Sequence, residues 1–250
     1  MKRDLGPFVS GWDFDPTDIC ARKIVGLDGQ EKLQVRLDLG VLQMELKGRP
    51  DGQSPHGYSS LLEYYLDQLE NERSESGTDE KFVLDADACG DLGQESLLYY
   101  HRYVCLMRLG DFDAVVRDTT HNLALLDLVR AYAEDDEDRQ SFEHYRPYVL
   151  MIYTRARGEI CLEEGDHSGA LKYIDEGLEK IRVCVADGDD IEAEEELEAL
   201  TAWAEEIDRE RPMNLHQKLV RELQNAIAEE RYEQAARLRD RLKLLENTNS

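Results

Sequence analysis

The apolar residues of this chain change their spacing once, and the change decides its fold class. Leu33, Val35, Leu37 and Leu39 alternate with polar residues, the alternation resumes at Leu42, Met44 and Leu46, and from Leu62 onward the spacing is three to four. Alternate residues share one face of a strand, whereas residues three or four apart share one face of a helix. The sequence therefore predicts a mainly α protein with a small N-terminal antiparallel β element, α+β taken together. The alternation slips by one residue at Gly40-Val41. That fits a bulge at Gly40 or a tight hairpin whose two-residue loop is Gly40-Val41, and we prefer the hairpin. Joined through Asp28-Gly29 to the apolar residues of 22–25, it makes a three-stranded meander. Its apolar face needs a cover, which Leu62, Tyr65, Leu66 and Leu69 on the next helix are placed to supply. Sheet and helix together form a first domain, 1–70.

Two polar stretches in that domain invite a functional reading. The loop 48–57 is rich in Gly and Pro, ends near Ser59 and Ser60 as candidate helix caps, and carries Arg49, Asp51 and His56, which would make a ligand loop if they converged. A rigid turn held by its prolines is the plainer expectation. Trp12 and Phe14, flanked by acids, are expected to anchor the N-terminal segment onto the core.

Residues 71–95, with Glu75-Ser-Gly-Thr78, Gly90 and Gly93, read as a linker. Within them Asp85-x-Asp87-x-Cys89-Gly90 imitates the first half of a calcium loop. Its twelfth position is Ser96, so the bidentate carboxylate such loops need is missing, and calcium binding is not expected. The stretch 96–209 is helical by period, with an acidic connection at 134–138. Leu106-Met-Arg-Leu-Gly-Asp-Phe-Asp-Ala and Leu162-Glu-Glu-Gly-Asp-His-Ser-Gly-Ala share a helix, Gly-Asp, helix layout. These blocks resemble tetratricopeptide repeats, although their turns are farther apart than the usual period of about 34 residues. The resemblance implies a layer of helix pairs with a protein-binding face.

The last segment, 212–247, reads as two amphipathic helices. Leu215, Leu219, Leu223 and Ile227 recur every four residues, and Tyr232, Ala235, Leu238, Leu242 and Leu245 every three to four. Asn214, with Gln217 three residues on, fits a capping box. About 40 residues is the lower limit for an unaided core, so such a hairpin is expected to need a partner for its seam. Leu219, Leu223, Ala226, Ile227, Tyr232, Glu233, Ala235, Ala236, Leu238, Arg239 and Asp240 resemble the UvrB/UvrC motif of excision-repair proteins, Clp-type ATPases and activators of a bacterial protein-arginine kinase. The resemblance implies docking to a protein, with Leu219, Leu223, Ala226, Ile227, Tyr232, Ala235, Ala236, Leu238, Arg239 and Leu242 as partner-binding residues. Dimerisation with a second copy through Leu219, Leu223, Tyr232 and Leu242 is one form this takes. Kinase activators with this module also carry Cys-x-x-Cys zinc sites, which this sequence lacks.

Charge narrows the partner. A formal net charge of −25 opposes direct binding to nucleic acid or anionic lipid, which relies on clustered Lys and Arg. Five scattered cysteines fit a reducing compartment, and no apolar run reaches the length of a membrane span, so a cytoplasmic protein is expected. The start, Met-Lys-Arg-Asp-Leu-Gly-Pro, lacks the apolar centre of a signal peptide. No phosphate loop, His-Glu-x-x-His or Gly-x-Ser-x-Gly occurs, and the six histidines show no metal spacing. We expect neither a catalytic residue, a metal nor a cofactor. The expected function is that of a non-enzymatic cytosolic adaptor, with an accessory role in nucleotide-excision repair as the alternative.

Overall fold

A computed structural model of the chain describes residues 5–187, 192–211, 215–228 and 231–248. The chain divides into two compact units, Met1–Glu205 and Glu206–Ser250. The larger is mainly helical with a small three-stranded antiparallel sheet near its N-terminus. A short helix α1 (Gly6–Val9) precedes strands β1 (Ala21–Val25), β2 (Glu31–Leu37) and β3 (Gly40–Glu45), which pair in the order β1-β2-β3. Helices α2 (Leu61–Ser76), α3 (Ala86–Arg108), α4 (Phe112–Tyr132), α5 (Asp136–Glu143), α6 (Arg146–Glu163), α7 (His167–Asp187) and α8 (Glu194–Glu210) follow. The division between the units falls within α8.

The meander is as expected but its second turn is not. Leu37 pairs with Gly40, so the two-residue loop is Asp38-Leu39 and Gly40 opens β3. A register shifted by an even number of residues leaves every side chain on the same face, so the apolar pattern alone does not choose between the two loops. In the observed register Leu33 faces Met44 and Val35 faces Leu42, while Leu39 stands in solvent at the turn.

The expected cover is also corrected. Leu33, Val35 and Met44 pack against Tyr103 and Leu106 of α3, Val115 of α4, and Ile152 and Ala156 of α6. Leu61, Leu62 and Leu69 of α2 instead join Leu84, Cys89, Leu92, Leu125, Leu128 and Val129 in a second cluster, with Tyr65 at its edge. The helix nearest in sequence is thus not the one that covers the sheet, and α3 and α4 each run through both clusters. Across the sheet's other face, Arg22 lies 3.8 Å from the centre of the Trp12 ring, and Arg36 donates to the Trp12 carbonyl and sits 5.1 Å from Phe14. The two aromatics thus anchor the N-terminal segment by cation–π contact.

Residues 71–95 are not a linker between domains. α2 runs to Ser76 and ends on Gly77, whose φ of 76° suits a left-handed cap. Asp85 accepts from the Ala88 amide at 2.9 Å and starts α3, so the imitation of a calcium loop is a helix N-cap. Gly90 and Gly93 are interior to α3, and a Cβ at Gly93 would meet the Phe142 ring at 3.4 Å. The coil between the helices is held down as well. The Leu84 amide donates to Tyr132 O at 2.8 Å, and the Glu134 amide donates to Leu84 O at 2.9 Å.

The helices form hairpins through Gly-Asp turns as expected. Gly110 and Gly165 hold φ near 72° and 78° between α3 and α4 and between α6 and α7. At the α6/α7 crossing, a Cβ added to Gly177 would lie 2.2 Å from the Thr154 hydroxyl, so only glycine permits this approach. The acidic connection at 134–138 contains the start of α5, whose first turn carries Asp136, Glu137 and Asp138 where the helix dipole favours them. The likeness to tetratricopeptide repeats remains one of layout.

Candidate functional site

The smaller unit holds α9 (Leu215–Ala228) and α10 (Tyr232–Thr248). The cap expected at Asn214 lies outside the described residues. The Arg231 amide donates to Ala226 O at 2.7 Å and the Ala235 amide to Arg231 O at 3.0 Å, which turns the chain from one helix into the next. Leu219 and Ala226 of α9 bury against Ala235, Leu238 and Leu242 of α10, with Val220 and Leu223 beside them.

The seam expected to await a partner is therefore largely filled by the hairpin itself. Of the residues expected to bind a partner, Leu219, Leu223, Ala226, Ala235, Leu238 and Leu242 join the hairpin core, whereas Ala236 and Arg239 are exposed. Ile227 is 54% exposed and Tyr232 68% exposed, both beside the turn. A step of four residues turns about 400° around a helix, so an i, i+4 stripe drifts by about 40° per step. After Leu219 and Leu223 the step of three to Ala226 keeps to the seam, and Ile227 leaves it. Tyr232, the first residue of α10, lines an open surface depression with Arg231, Glu233, Gln234 and Arg237. Arg231 donates to Gln234 Oε1 at 3.1 Å across this surface.

Residues 214–248 match the family model of the UvrB/uvrC motif, so the match spans both hairpin helices. The motif is generally one of protein interaction. Comparison with curated proteins and with solved structures returned no match.

The loop 48–57 brings only part of its expected set together. Arg49 Nε lies 3.2 Å from Asp51 Oδ1, and Arg49 Nη1 lies 3.4 Å from Glu95 Oε2. His56 turns away with φ 53° and stacks on Tyr64 at 4.2 Å. Sequence patterns missed Glu95, which is fully buried and accepts from the Leu61 and Leu62 amides at 2.7 and 3.0 Å. Glu95 thereby satisfies two of the amides left open in the first turn of α2. Ser60 accepts from the Glu63 amide at 3.0 Å, and of the two candidate caps it is the one used. His121 Nε2 meets Glu95 Oε1 at 3.2 Å, and its ring stacks on Tyr99 at 3.7 Å.

Beside this cluster Arg102 is fully buried. Its Nε and Nη2 both donate to Asp118 at 2.7 Å, while Nη1 donates to Glu45 O and Gly48 O at 2.9 and 2.7 Å. The guanidinium thus ties the end of β3 and the start of the loop to the helices. These groups hold structural partners. Burial pushes the Cys89 and Cys105 thiols up to about 11, which keeps them protonated near neutrality. Among the described residues, no cluster of three or more His, Cys, Asp or Glu is arranged to hold a metal ion.

Burial alone would raise the Glu95 pKa, but the bonds from His121 and the Leu61 and Leu62 amides bring it below its ordinary 4.5. A carboxylate depressed in the folded state stabilises the fold above its unfolded pKa, and that contribution is lost as pH falls through the folded value. Glu95→Gln should therefore lower stability at neutral pH and flatten its fall on the acid side. Urea midpoints measured from pH 7 down to pH 3 check this. An unchanged acid slope would show that other carboxylates set it.

Proposed function

We propose that this chain is a non-enzymatic cytosolic adaptor that docks a protein partner through its C-terminal hairpin. The observation that carries this reading is the match of residues 214–248 to the UvrB/uvrC motif. The exposed Ile227 and Tyr232 support it, because large apolar side chains beside an open depression are the usual anchors of an interface. Arg239 and Ala236 belong to the same docking unit. The helix pairs of the larger unit, with their tetratricopeptide-like layout, serve as a second protein-binding surface. The net charge of −25 supports protein over nucleic acid as the direct target. No described helix is long and apolar enough to cross a membrane.

A second reading, an accessory role in nucleotide-excision repair, is favoured by the motif matched. Purified UvrB and UvrC are the partners to titrate against the full chain, with Tyr232→Asp and Ile227→Asp beside it. Tyr232 is exposed, so Tyr232→Asp should leave the hairpin helical and weaken binding about tenfold or more. Unweakened binding by the variants would remove the hairpin surface from the interaction. Binding to neither protein would remove the repair reading while leaving the adaptor reading to its own test. That test is light scattering of the full chain. A dimer dissociated by Tyr232→Asp would identify a second copy as the partner.

A further inference from the structure

The larger unit contains a cavity of about 510 Å³ between α3, α4, α5 and α6. Tyr100, Tyr103, Phe142, Tyr145, Tyr148 and Asn122 line it, and among the described residues no charged side chain does. Tyr100 touches two of the other rings. That ring meets Tyr103 edge-on at 5.5 Å and Tyr148 at a tilt at 6.1 Å. A closed core would seal such a cluster from water, yet Tyr100 remains 36% exposed and Tyr145 is open to solvent.

Asn122 supplies a second observation. It is almost fully buried, and its Nδ2 donates to Ser96 O at 3.0 Å, which fixes the amide. Its carbonyl oxygen, also buried, has no hydrogen-bond partner. A buried acceptor left open is unusual, and its complement is a donor.

Aromatic rings and an open acceptor suit a cation that carries N–H groups. Ring faces attract cations through their quadrupole, and a guanidinium stacks on them while offering five donors. The chain uses this pairing internally. Arg22 lies over Trp12, Arg102 over Tyr99 at 4.9 Å, and Arg157 over Tyr173 at 4.6 Å. Among the described residues no such cation stands over Tyr100, Tyr103, Tyr145 or Tyr148. Charge points the same way. Glu196 is close enough to act on the Tyr148 hydroxyl, which burial first, then Tyr100 and Glu196, push up to about 12. The chain as a whole is strongly acidic.

We propose that this cavity receives an arginine side chain from a basic segment of a partner protein, its guanidinium lying among Tyr100, Tyr103 and Tyr148 and donating to the Asn122 carbonyl oxygen. A quaternary ammonium has no donor for Asn122, and an aliphatic side chain leaves it unpaired. The site lies in the larger unit, deepens the reading of its helix pairs as a second protein-binding surface, and does not depend on the function proposed for the hairpin.

The full chain, with 13C-labelled tyrosine rings, is titrated with acetyl-Gly-Arg-Gly-amide. Matched peptides with citrulline, lysine or leucine in place of arginine run alongside. The arginine peptide should shift the Tyr100, Tyr103 and Tyr148 rings saturably and bind about five- to tenfold more tightly than its neutral citrulline isostere. The response should vanish in Tyr100→Ala and persist in Tyr100→Phe, which keeps the ring and guards against a folding defect. Equal binding of the citrulline or leucine peptide would make the cavity merely apolar and overturn the proposal. Tighter binding of lysine would overturn its choice of arginine, and the absence of saturable shifts at these rings would remove the site.

Discussion

Asp118→Ala is expected to destabilise the larger unit by roughly 3–5 kcal/mol, the range for a buried charge stripped of its partner. Both members of the pair are fully buried, and Arg102 approaches Asp118 through two parallel hydrogen bonds. Removing the carboxylate leaves a guanidinium held by the Glu45 and Gly48 carbonyls and the face of Tyr99, none of which carries a charge, and Arg117 loses its contact to Asp118 as well. A urea unfolding curve checks the prediction through its midpoint. The double change Arg102→Met with Asp118→Leu should recover much of the loss, because two apolar side chains leave no buried charge behind. If the single and double variants are equally unstable, packing volume and not charge explains the effect.

Leu238→Asp is the second large effect expected. Leu238 is buried between α9 and α10, and an unpaired carboxylate there costs several kcal/mol. A two-helix unit has little stability to lose. The helical signal of the 14 residues of α9 and the 17 of α10 should therefore disappear, read as reduced ellipticity at 222 nm. The contrast with Tyr232→Asp matters for function, since that change sits on the outside of the hairpin. Equal loss of helix in both variants would place Tyr232 in the fold and not on its surface.

What the sequence reveals depends on whether a residue belongs to a periodic pattern. The strands, the Gly-Asp turns and the hairpin core of Leu219, Leu223, Leu238 and Leu242 are all legible, because burial repeats with the geometry of the element. The turn at Asp38-Leu39 is not, since registers differing by an even shift bury the same faces. Nor is the helical start at Asp85. Gly90 and Gly93 argue locally for a loop, and only the Asp85 cap and the packing of Cys89 and Leu92 outweigh them. The exposure of Ile227 escapes a reading by steps of four because the drift of the stripe becomes visible only when α10 is in place. The polar groups are the least legible. Glu95 serves helix amides 33 and 34 residues earlier, and Arg102 pairs with a residue 16 away, so neither leaves a mark at short spacing.

One consequence follows from α3 and α4 passing through both apolar clusters of the larger unit. Each helix acts as a continuous strut: its residues against α2 and its residues against the sheet belong to one hydrogen-bonded rod, so neither cluster can melt without fraying a helix the other relies on. The sheet, too small to persist alone, thereby takes its thermodynamic fate from the helices, and the two clusters open as one cooperative block.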